Sequence, residues 1–292
     1  MVHPYRHVRI GLATIHGKEL AVAPPFRRLL GAEIVVAPDV DTDSLGTFSG
    51  EIARPGPVVE TCAIKAELAF RTLDVDCAIA SEGSYGPIDR VPLLPSGVEV
   101  MAFIDRRRGV RVVETLLTHR TNWRLLRFEA GDPRIAAAAT ALGFPDYGVF
   151  VLRSDWSHPI KGLTKLDDVI SAMRQQADNS PDGASVLISD MRAHRNRTRM
   201  KVLRALSWKL AKRLERLCPK CQAPGFGPIE SRRGLPCEGC GDATHWIHFE
   251  VDGCSACGHA AARPRKDGRK TAPKLSCVSC REGVSQTQQS RP

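Results

Sequence analysis

Residues 76–87 read DCAIASEGSYGP, and this stretch decides how the first part of the chain is interpreted. The apolar run CAIA is typical of a buried strand. It is followed by one carboxylate, Glu82, and then by the turn-forming residues Gly83, Gly86 and Pro87. The pattern therefore predicts a buried strand that ends at Glu82 in a small-residue turn. An acid at that place is either solvated or positioned to bind a ligand.

Strand-like and helix-like segments alternate on both sides of this stretch. In chain order they are a strand at 8–14, a helix at 20–31, a strand at 33–38, a helix at 58–73, two strands joined by a turn over 98–119, a helix at 133–144, a strand at 147–153, a helix at 165–177, and a strand running into a polar turn at 185–194. Pro24 and Pro25 suit the first turn of their helix. The alternation predicts an α/β fold with a mixed sheet flanked by helices.

Length and composition indicate more than one unit. The 292 residues are 42% hydrophobic and 25% charged, which is enough for a sizeable core. We expect an α/β domain over 1–215, a small cysteine-rich zinc-binding module over 216–282 and a disordered tail over 283–292. The sequence lacks an apolar run of about eighteen residues and a signal-like start. We therefore expect a cytoplasmic protein with no membrane partner.

The net charge of +10 favours anionic partners, and much of it is concentrated over 191–216. That segment holds ten Lys or Arg and one acid, Glu215. From Thr198 it predicts an amphipathic helix whose apolar stripe is Leu203, Leu206, Leu210, Leu214 and Leu217. The basic face is either a solvated helix surface or a surface for RNA or DNA.

Ten cysteines fall into two groups. Cys62 and Cys77 stand alone in apolar surroundings and are expected to be buried. The other eight form four C-x-x-C pairs, namely Cys218 and Cys221, Cys237 and Cys240, Cys254 and Cys257, and Cys277 and Cys280. This spacing predicts two structural Zn²⁺ sites, each closed by four thiolates, with iron–sulfur ligation as the alternative. Sequential pairing is the simplest arrangement, and an interleaved one stays open.

Two further segments offer groups that suit phosphate oxygens. TIHGK, at 14–18, follows the first strand and supplies the polar side chains Thr14, His16 and Lys18 before a helix. The helix ETCAIKAE contributes Glu60 and Lys65. Each segment alone is equally compatible with an ordinary turn and a solvated helix face.

In the order TIHGK, ETCAIKA and IASEGSYGP, the chain resembles the inosine-triphosphate pyrophosphatase-like superfamily, which includes the Maf proteins. The resemblance implies that fold, and it implies that Glu60 and Glu82 bind Mg²⁺ against bound phosphates. Asp41 or Asp43 would assist them. Lys18 and Lys65 would then complete the catalytic set by stabilising negative oxygens.

The same resemblance implies a set of substrate-binding residues. The segment DMRAHRNRTRM is similar to the S-H-R motif of the superfamily, so the substrate-binding set becomes Thr14, His16, Ser81, Ser84, Arg192, His194 and Arg195. The chain departs from the superfamily pattern in having His16 in place of an asparagine in a loop one residue shorter.

A second resemblance covers nearly the whole chain. ATIHGKE, LGTFSGEI, ASEGSYGP and MRAHRNRTRM, together with the cysteine-rich end, are similar to a bacterial family defined by a domain of unknown function. Arg197 stands where that family has proline. This resemblance implies the zinc-binding module and no particular activity.

These patterns favour a Mg²⁺-dependent hydrolase of nucleoside triphosphates or related phosphorylated nucleotides, with structural zinc ribbons. One alternative is a nucleic-acid-binding protein that uses the basic helix 192–216 and the ribbons. Another is a ligand-binding interaction module without turnover. The base and sugar preference and the oligomeric state are left open.

Overall fold

A computed structural model describes residues 2–47, 51–88 and 91–281. The chain divides into two compact units. The first comprises Met1–Arg107 and Arg111–Lys212, and the second comprises Arg108–Val110 and Arg213–Pro292. The predicted disordered tail lies outside the described residues. Within them, no helix combines the length and the apolar character that crossing a membrane requires.

The first unit contains a mixed five-stranded sheet with the order β2-β1-β3-β4-β5. β1 (Arg9–Leu12) pairs in parallel with β2 (Glu33–Val36) and with β3 (Cys77–Ile88). β3 pairs antiparallel with β4 (Val91–Asp105), and β5 (Val110–Thr118) lies beside β4 at the edge. The predicted α/β class with a mixed sheet is confirmed.

Two helices connect the parallel strands. α1 (Glu19–Leu30) joins β1 to β2, and α2 (Val58–Thr72) joins β2 to β3 and packs on β3 and β4. Because these right-handed crossovers run in opposite directions along the sheet, they place α1 and α2 on opposite faces. Pro24 and Pro25 lie inside α1 and not in its first turn, which corrects the predicted start of the helix.

β3 does not end at Glu82. The strand continues to Ile88, because β4 offers an antiparallel partner along its length and Glu82 pairs with Val100. β1, in contrast, ends at Leu12, which pairs with Ile79. The predicted small-residue turn is therefore a strand that extends past the end of its parallel neighbour.

A separate antiparallel sheet completes the α/β unit, with the order β6-β8-β7. Its strands are β6 (Leu125–Glu129), β7 (Val149–Arg153) and β8 (Ala184–Ser189), and its helices are α3 (Ile135–Ala141) and α4 (Leu166–Asp178). Phe128, Val151, Val169 and Leu187 belong to their shared core. β6 carries no clear sequence signal and was not predicted.

α5 (Arg197–Glu215) is the predicted basic helix, and four of its five predicted stripe leucines are fully buried. Asn196 caps its first turn, since its side-chain oxygen accepts the Arg199 amide at 2.9 Å. Arg199 continues the buried stripe toward the N-terminus of α5. Its guanidinium lies 2.5 Å from the Glu99 carboxylate on β4, and both side chains are almost wholly buried.

The second unit is built on an antiparallel meander. β9 (Gly227–Arg233) and β11 (Ala260–Arg263) both pair with β10 (Ile247–Gly253), and the order is β11-β10-β9. Few large apolar side chains are buried in this unit, so it depends on other cross-links for stability.

The buried Glu99–Arg199 pair generates a stability prediction. Glu99→Ala should lower the free energy of unfolding by about 3–5 kcal/mol, because it leaves the Arg199 charge buried without a carboxylate. The double variant Glu99→Leu/Arg199→Met should recover much of that loss, since neither charge then remains. Urea unfolding followed by circular dichroism measures both effects. Equal stability of wild type and Glu99→Ala would contradict the assigned pair.

Candidate functional site

The candidate site lies where β3 runs past the end of β1. Beyond Ile79, the carbonyl groups of β3 that face the β1 side have no neighbouring strand among the described residues, and two cationic side chains bind them instead. The Lys18 ammonium donates to the Ser81 carbonyl at 3.1 Å, and the Arg54 guanidinium donates to the Gly83 carbonyl at 2.6 Å. Backbone acceptors in the interior require such donors.

Glu82 lies between these two contacts and is only 4% exposed. Its Oε2 accepts a hydrogen bond from Lys65 Nζ at 2.6 Å, and its Oε1 accepts one from Arg54 Nε at 2.9 Å. Burial acts to raise the pKa of Glu82, but the ammonium groups of Lys65 and Lys18 outweigh it and lower the pKa below its ordinary value. Glu82 is therefore an ionised, doubly paired carboxylate.

Among the described residues, Lys18 is the cation of this cluster that has no carboxylate partner. It is 7% exposed, and in the described part of the chain its ammonium has the Ser81 carbonyl as its one hydrogen-bond partner. Burial, and then the positive charge of Arg199, lower the pKa of Lys18 to about 8. The Oγ of Ser81 is also buried and has no partner among the described residues. In the described chain, the Lys18 ammonium therefore has no carboxylate within hydrogen-bond distance, and Ser81 Oγ has no hydrogen-bond partner.

His16 and Thr14 line the same loop. The Thr14 hydroxyl accepts the His16 amide at 3.2 Å, and the His16 ring stacks on the ring of His194 with their centroids 5.0 Å apart. His16 Nε2 lies 3.8 Å from Asp43 Oδ2. Burial, and then Lys18, lower the pKa of His16 to about 3, so its imidazole is neutral at pH 7. Burial raises the pKa of Asp43.

A second buried charge pair lies beside the cluster. Arg199 donates to Glu99, and Glu99 Oε1 also accepts the Tyr85 hydroxyl at 2.7 Å. Gly83 has to be glycine here, because a Cβ would lie 2.5 Å from Glu99 Oε1. Both Arg199 and Glu99 act electrostatically on Lys18.

The structure brings most of the predicted site residues together. Those that share the cluster or its rim are Thr14, His16, Lys18, Lys65, Ser81, Glu82 and His194. Glu60 is exposed in the first turn of α2, and no described residue bonds it. Asp41 Oδ1 is used by its own turn, since it accepts the amides of Asp43 and Ser44.

The remaining predicted residues have other contacts, although the charge of Arg192 still acts on His16 and His194. Ser84 lines a cavity of about 430 Å³ with Arg54 and Val58. Arg192 is held by both oxygens of Asp190 at 2.8–3.1 Å, and Arg195 donates to the Leu163 carbonyl. The structure does not place these two arginines on Glu82.

Sequence reasoning missed three residues that shape the site, namely Arg54, Glu99 and Arg199. Nothing in the segment ARPGP marks Arg54 as a hydrogen-bond partner of Glu82. Glu99 could have been found, because it interrupts the apolar run VEVMAF, and Arg199 because it lies four residues before Leu203 in line with the leucine stripe.

Several charges of the predicted basic helix are already paired. Arg199 bonds Glu99, Lys209 Nζ lies 2.8 Å from Glu114, and Arg216 lies 2.8 Å from Asp252. The free basic surface of α5 is therefore smaller than its composition indicates.

The eight C-x-x-C cysteines form two tetrads in the second unit. One tetrad is Cys218, Cys221, Cys254 and Cys257, and the other is Cys237, Cys240, Cys277 and Cys280. Four sulfur–sulfur distances are 3.6–3.8 Å. Around a tetrahedral zinc ion with bonds of about 2.3 Å, sulfurs lie about 3.8 Å apart. The tetrads are positioned to bind metal ions and are consistent with two structural zinc sites.

The pairing is interleaved, which is the second of the two arrangements that the sequence left open. The reason is the meander. β9 pairs antiparallel with β10, so Gly227 at the start of β9 lies opposite Gly253 at the end of β10. The first C-x-x-C precedes Gly227 and the third follows Gly253, so they meet at the same end of the sheet. The second and fourth form the other tetrad.

Three of the four C-x-x-C segments, here called knuckles, form the same type of turn. In each, the amide of the first cysteine donates to the carbonyl five residues later, as Cys218 does to Ala223, Cys237 to Asp242 and Cys254 to His259. The fourth residue after that cysteine has a positive φ, which is 60° at Gln222, 80° at Gly241 and 70° at Gly258. This explains the glycines in CEGCG and CSACG. In the second knuckle, the amides of Cys240 and Gly239 lower the pKa of Cys237 to about 7.

Comparison with known proteins identifies a family that matches most of the chain. The family model described as "Domain of unknown function (DUF6671)" matches residues 65–281. This segment includes Lys65, Glu82 and both cysteine tetrads, whereas Lys18 precedes it. No curated protein and no solved structure matches the chain. The resemblance to the inosine-triphosphate pyrophosphatase-like superfamily therefore stays a prediction.

The interleaved pairing generates a metal-content prediction. In Cys218→Ser/Cys254→Ser both changes fall in one tetrad, so the purified protein should retain one zinc ion per chain instead of two. Cys218→Ser/Cys237→Ser removes one ligand from each tetrad and should weaken both sites. Zinc is measured by inductively coupled plasma mass spectrometry. If the first variant lost both ions and the second lost only one, sequential pairing would be correct.

Proposed function

The chain belongs to the DUF6671 family, a domain of unknown function, and we propose that its first unit binds a phosphorylated nucleotide and hydrolyses it. The observation that carries the proposal is the buried Lys18 ammonium, which has no carboxylate partner in the described chain. A buried cation in this condition is costly unless an anion joins it. A phosphate group would supply that anion.

The surroundings of Lys18 support a phosphate ligand. The residue immediately precedes α1, and the N-terminal amides and dipole of a helix favour negative charge. The unpartnered Ser81 hydroxyl offers a further hydrogen bond. Four cations, Lys18, Arg54, Lys65 and Arg199, share the cluster with the two buried carboxylates Glu82 and Glu99. The open end of the parallel strands is also the usual ligand position in α/β sheets.

Hydrolysis is the activity favoured by the motif order TIHGK, ETCAIKA and IASEGSYGP. The proposed reaction is attack of water on the α-phosphorus of a nucleoside triphosphate. The new P–O bond forms as the bond from the α-phosphorus to the bridging oxygen breaks, pyrophosphate leaves, and the water proton passes to solvent. Lys18 and Lys65 would stabilise the negative charge that develops on the phosphate oxygens. Glu82 would hold Lys65 in position through their 2.6 Å contact.

The described residues do not by themselves form the predicted magnesium site. Both oxygens of Glu82 accept hydrogen bonds from cations, and Glu60 is exposed. Among the described residues, only the cysteine tetrads bring three or more metal-binding groups together. We therefore assign no Mg²⁺ to the protein alone, and a magnesium ion that takes part would arrive on the nucleotide phosphates.

Lys18→Met should weaken nucleotide binding by about 10- to 150-fold, because it removes a charged hydrogen bond to phosphate. Isothermal titration calorimetry with the tightest-binding member of a nucleotide panel measures the change. Lys201→Met is the matched control, since Lys201 is exposed on α5. Equal losses in both variants would show a general charge effect and would contradict the assigned role.

The pH dependence of nucleotide affinity tests whether binding requires the positive charge of Lys18. Phosphate binding favours the ammonium form, whose pKa is about 8 in the free protein. Affinity should therefore be highest below pH 8 and fall as the pH rises through that value, by up to about tenfold per pH unit. Lys18→Arg keeps its charge and should bind with little change between pH 7.5 and 9.5.

Turnover is tested with a panel of nucleoside triphosphates and diphosphates, with Mg²⁺, with Mn²⁺ and with EDTA. Wild type should release pyrophosphate or phosphate from at least one of them. Glu82→Gln should lower kcat at least about tenfold with the fold intact, because Lys65 loses its charged anchor. Nucleotide binding without turnover on the whole panel would contradict the hydrolase and support the ligand-binding module.

A further inference from the structure

The second unit carries a surface on which arginines surround two aromatic rings. The guanidinium groups of Arg265 and Arg269 each lie 5.7 Å from the centroid of the Trp246 ring. Arg232, which pairs with Phe249 across the sheet, lies 5.9 Å from that ring. These distances are in the range of cation–π contact. We name this group, together with Arg233, Lys266 and Lys270, the arginine–aromatic surface.

The loop after β11 is braced so that it presents its charges. Residues 263–270 read RPRKDGRK, with five basic residues and one acid, Asp267. The Asp267 carboxylate accepts the Arg265 guanidinium at 2.5–2.8 Å and the Arg269 amide at 3.2 Å. Arg265 also donates to the Ile247 carbonyl on β10. Asp267 thus braces the loop, and Arg263 pairs with Glu250 and Asp252 on β10. Within the described chain, the loop cations left without an ion pair are Lys266 and Lys270.

Lys266 and Lys270 are the freest cations of this loop. Both are exposed, and no described residue forms an ion pair or a hydrogen bond with either ammonium. Arg233 donates to the His245 carbonyl at 3.1 Å and has no carboxylate partner in the described chain. These three residues can exchange water for phosphate oxygens without breaking an existing ion pair.

We infer that the arginine–aromatic surface is a binding site for single-stranded nucleic acid. Exposed cations next to aromatic rings match the chemistry of such a strand, in which phosphates bind the cations and unpaired bases stack on the rings. A duplex offers its phosphates but keeps its bases stacked on one another, so the aromatic rings would add little. The single strand is therefore the occupant that uses both parts of the surface.

This site differs from the basic helix 192–216, which the sequence analysis gave as an alternative surface for nucleic acid. In the described chain, five cations of that segment pair with Asp190, Asp146, Glu99, Glu114 and Asp252. Trp208, the one aromatic side chain of α5, is partly buried, and the Arg28 guanidinium lies 6.0 Å from its ring centroid. The inference is also independent of the nucleotide site, which lies in the first unit.

The test uses the full-length, zinc-loaded protein and fluorescein-labelled 20-mers of RNA and DNA of the same sequence, as single strands and duplexes. Fluorescence anisotropy over 50–300 mM NaCl should show tighter binding of the single strands. Lys266→Ala/Lys270→Ala should reduce affinity and lower the slope of log K against log salt by about 1.4. The comparison of RNA with DNA shows whether the 2′-hydroxyl contributes.

Trp246→Ala should weaken single-strand binding by about 5- to 150-fold, and Trp246→Phe should restore most of it, because stacking needs only an aromatic face. Two zinc ions per chain confirm that each variant is folded. Lys201→Ala/Lys212→Ala, at exposed positions on α5, is the matched control and should bind like wild type. Equal affinity for duplex and single strand, or loss confined to the α5 variant, would overturn the inference.

Discussion

The first unit depends on a mismatch of strand length. β3 and β4 continue well beyond Leu12, where β1 ends. The β3 carbonyl groups past that point lose their strand partner, and inside the protein they need other hydrogen-bond donors. Lys18 and Arg54 supply those donors from two loops. Side-chain donors thus replace the backbone hydrogen bonds that a longer β1 would have formed with β3. Cations gather at this place for a structural reason, and the same cations create a site that is attractive to anions.

The negative charge of Glu82 reduces the electrostatic repulsion between these cations. Two cations reach its oxygens, and the resulting network holds α2 and the loop before it against β3. The Glu99–Arg199 pair ties β4 to α5 in the same way. Such pairs contribute less net stability than their Coulomb energies indicate, because both partners lose their hydration. Their stronger effect is to fix one arrangement, since a shifted register would leave a charge alone in the interior.

The sequence predicted the parts that rest on periodicity and spacing. The leucine stripe of α5, the buried CAIA run and the four knuckles all came from local patterns, and each is present in the structure. GSYGP was misleading because its residues favour turns, while the pairing with β4 that makes it a strand is set by a distant segment. The contacts of Arg54 could not be predicted from the sequence for the same reason. Its role depends on where β1 ends relative to β3.

In the cysteine module, the strand topology determines which C-x-x-C segments share a metal site, a choice that the sequence spacing leaves open. Two knuckles of the same chain can pair in either order, but an antiparallel meander returns the chain to its starting end after two strands. Interleaving follows from that geometry, and each tetrad then closes one end of a sheet too small to bury a core. Residues 213–281 contain twelve Lys and Arg and seven Asp and Glu. A zinc ion bound by four thiolates carries a net charge of about −2, so two such centres would offset nearly all of this positive excess. Any affinity of this unit for nucleic acid must therefore come from local placement of charge beside aromatic rings, and not from its net charge.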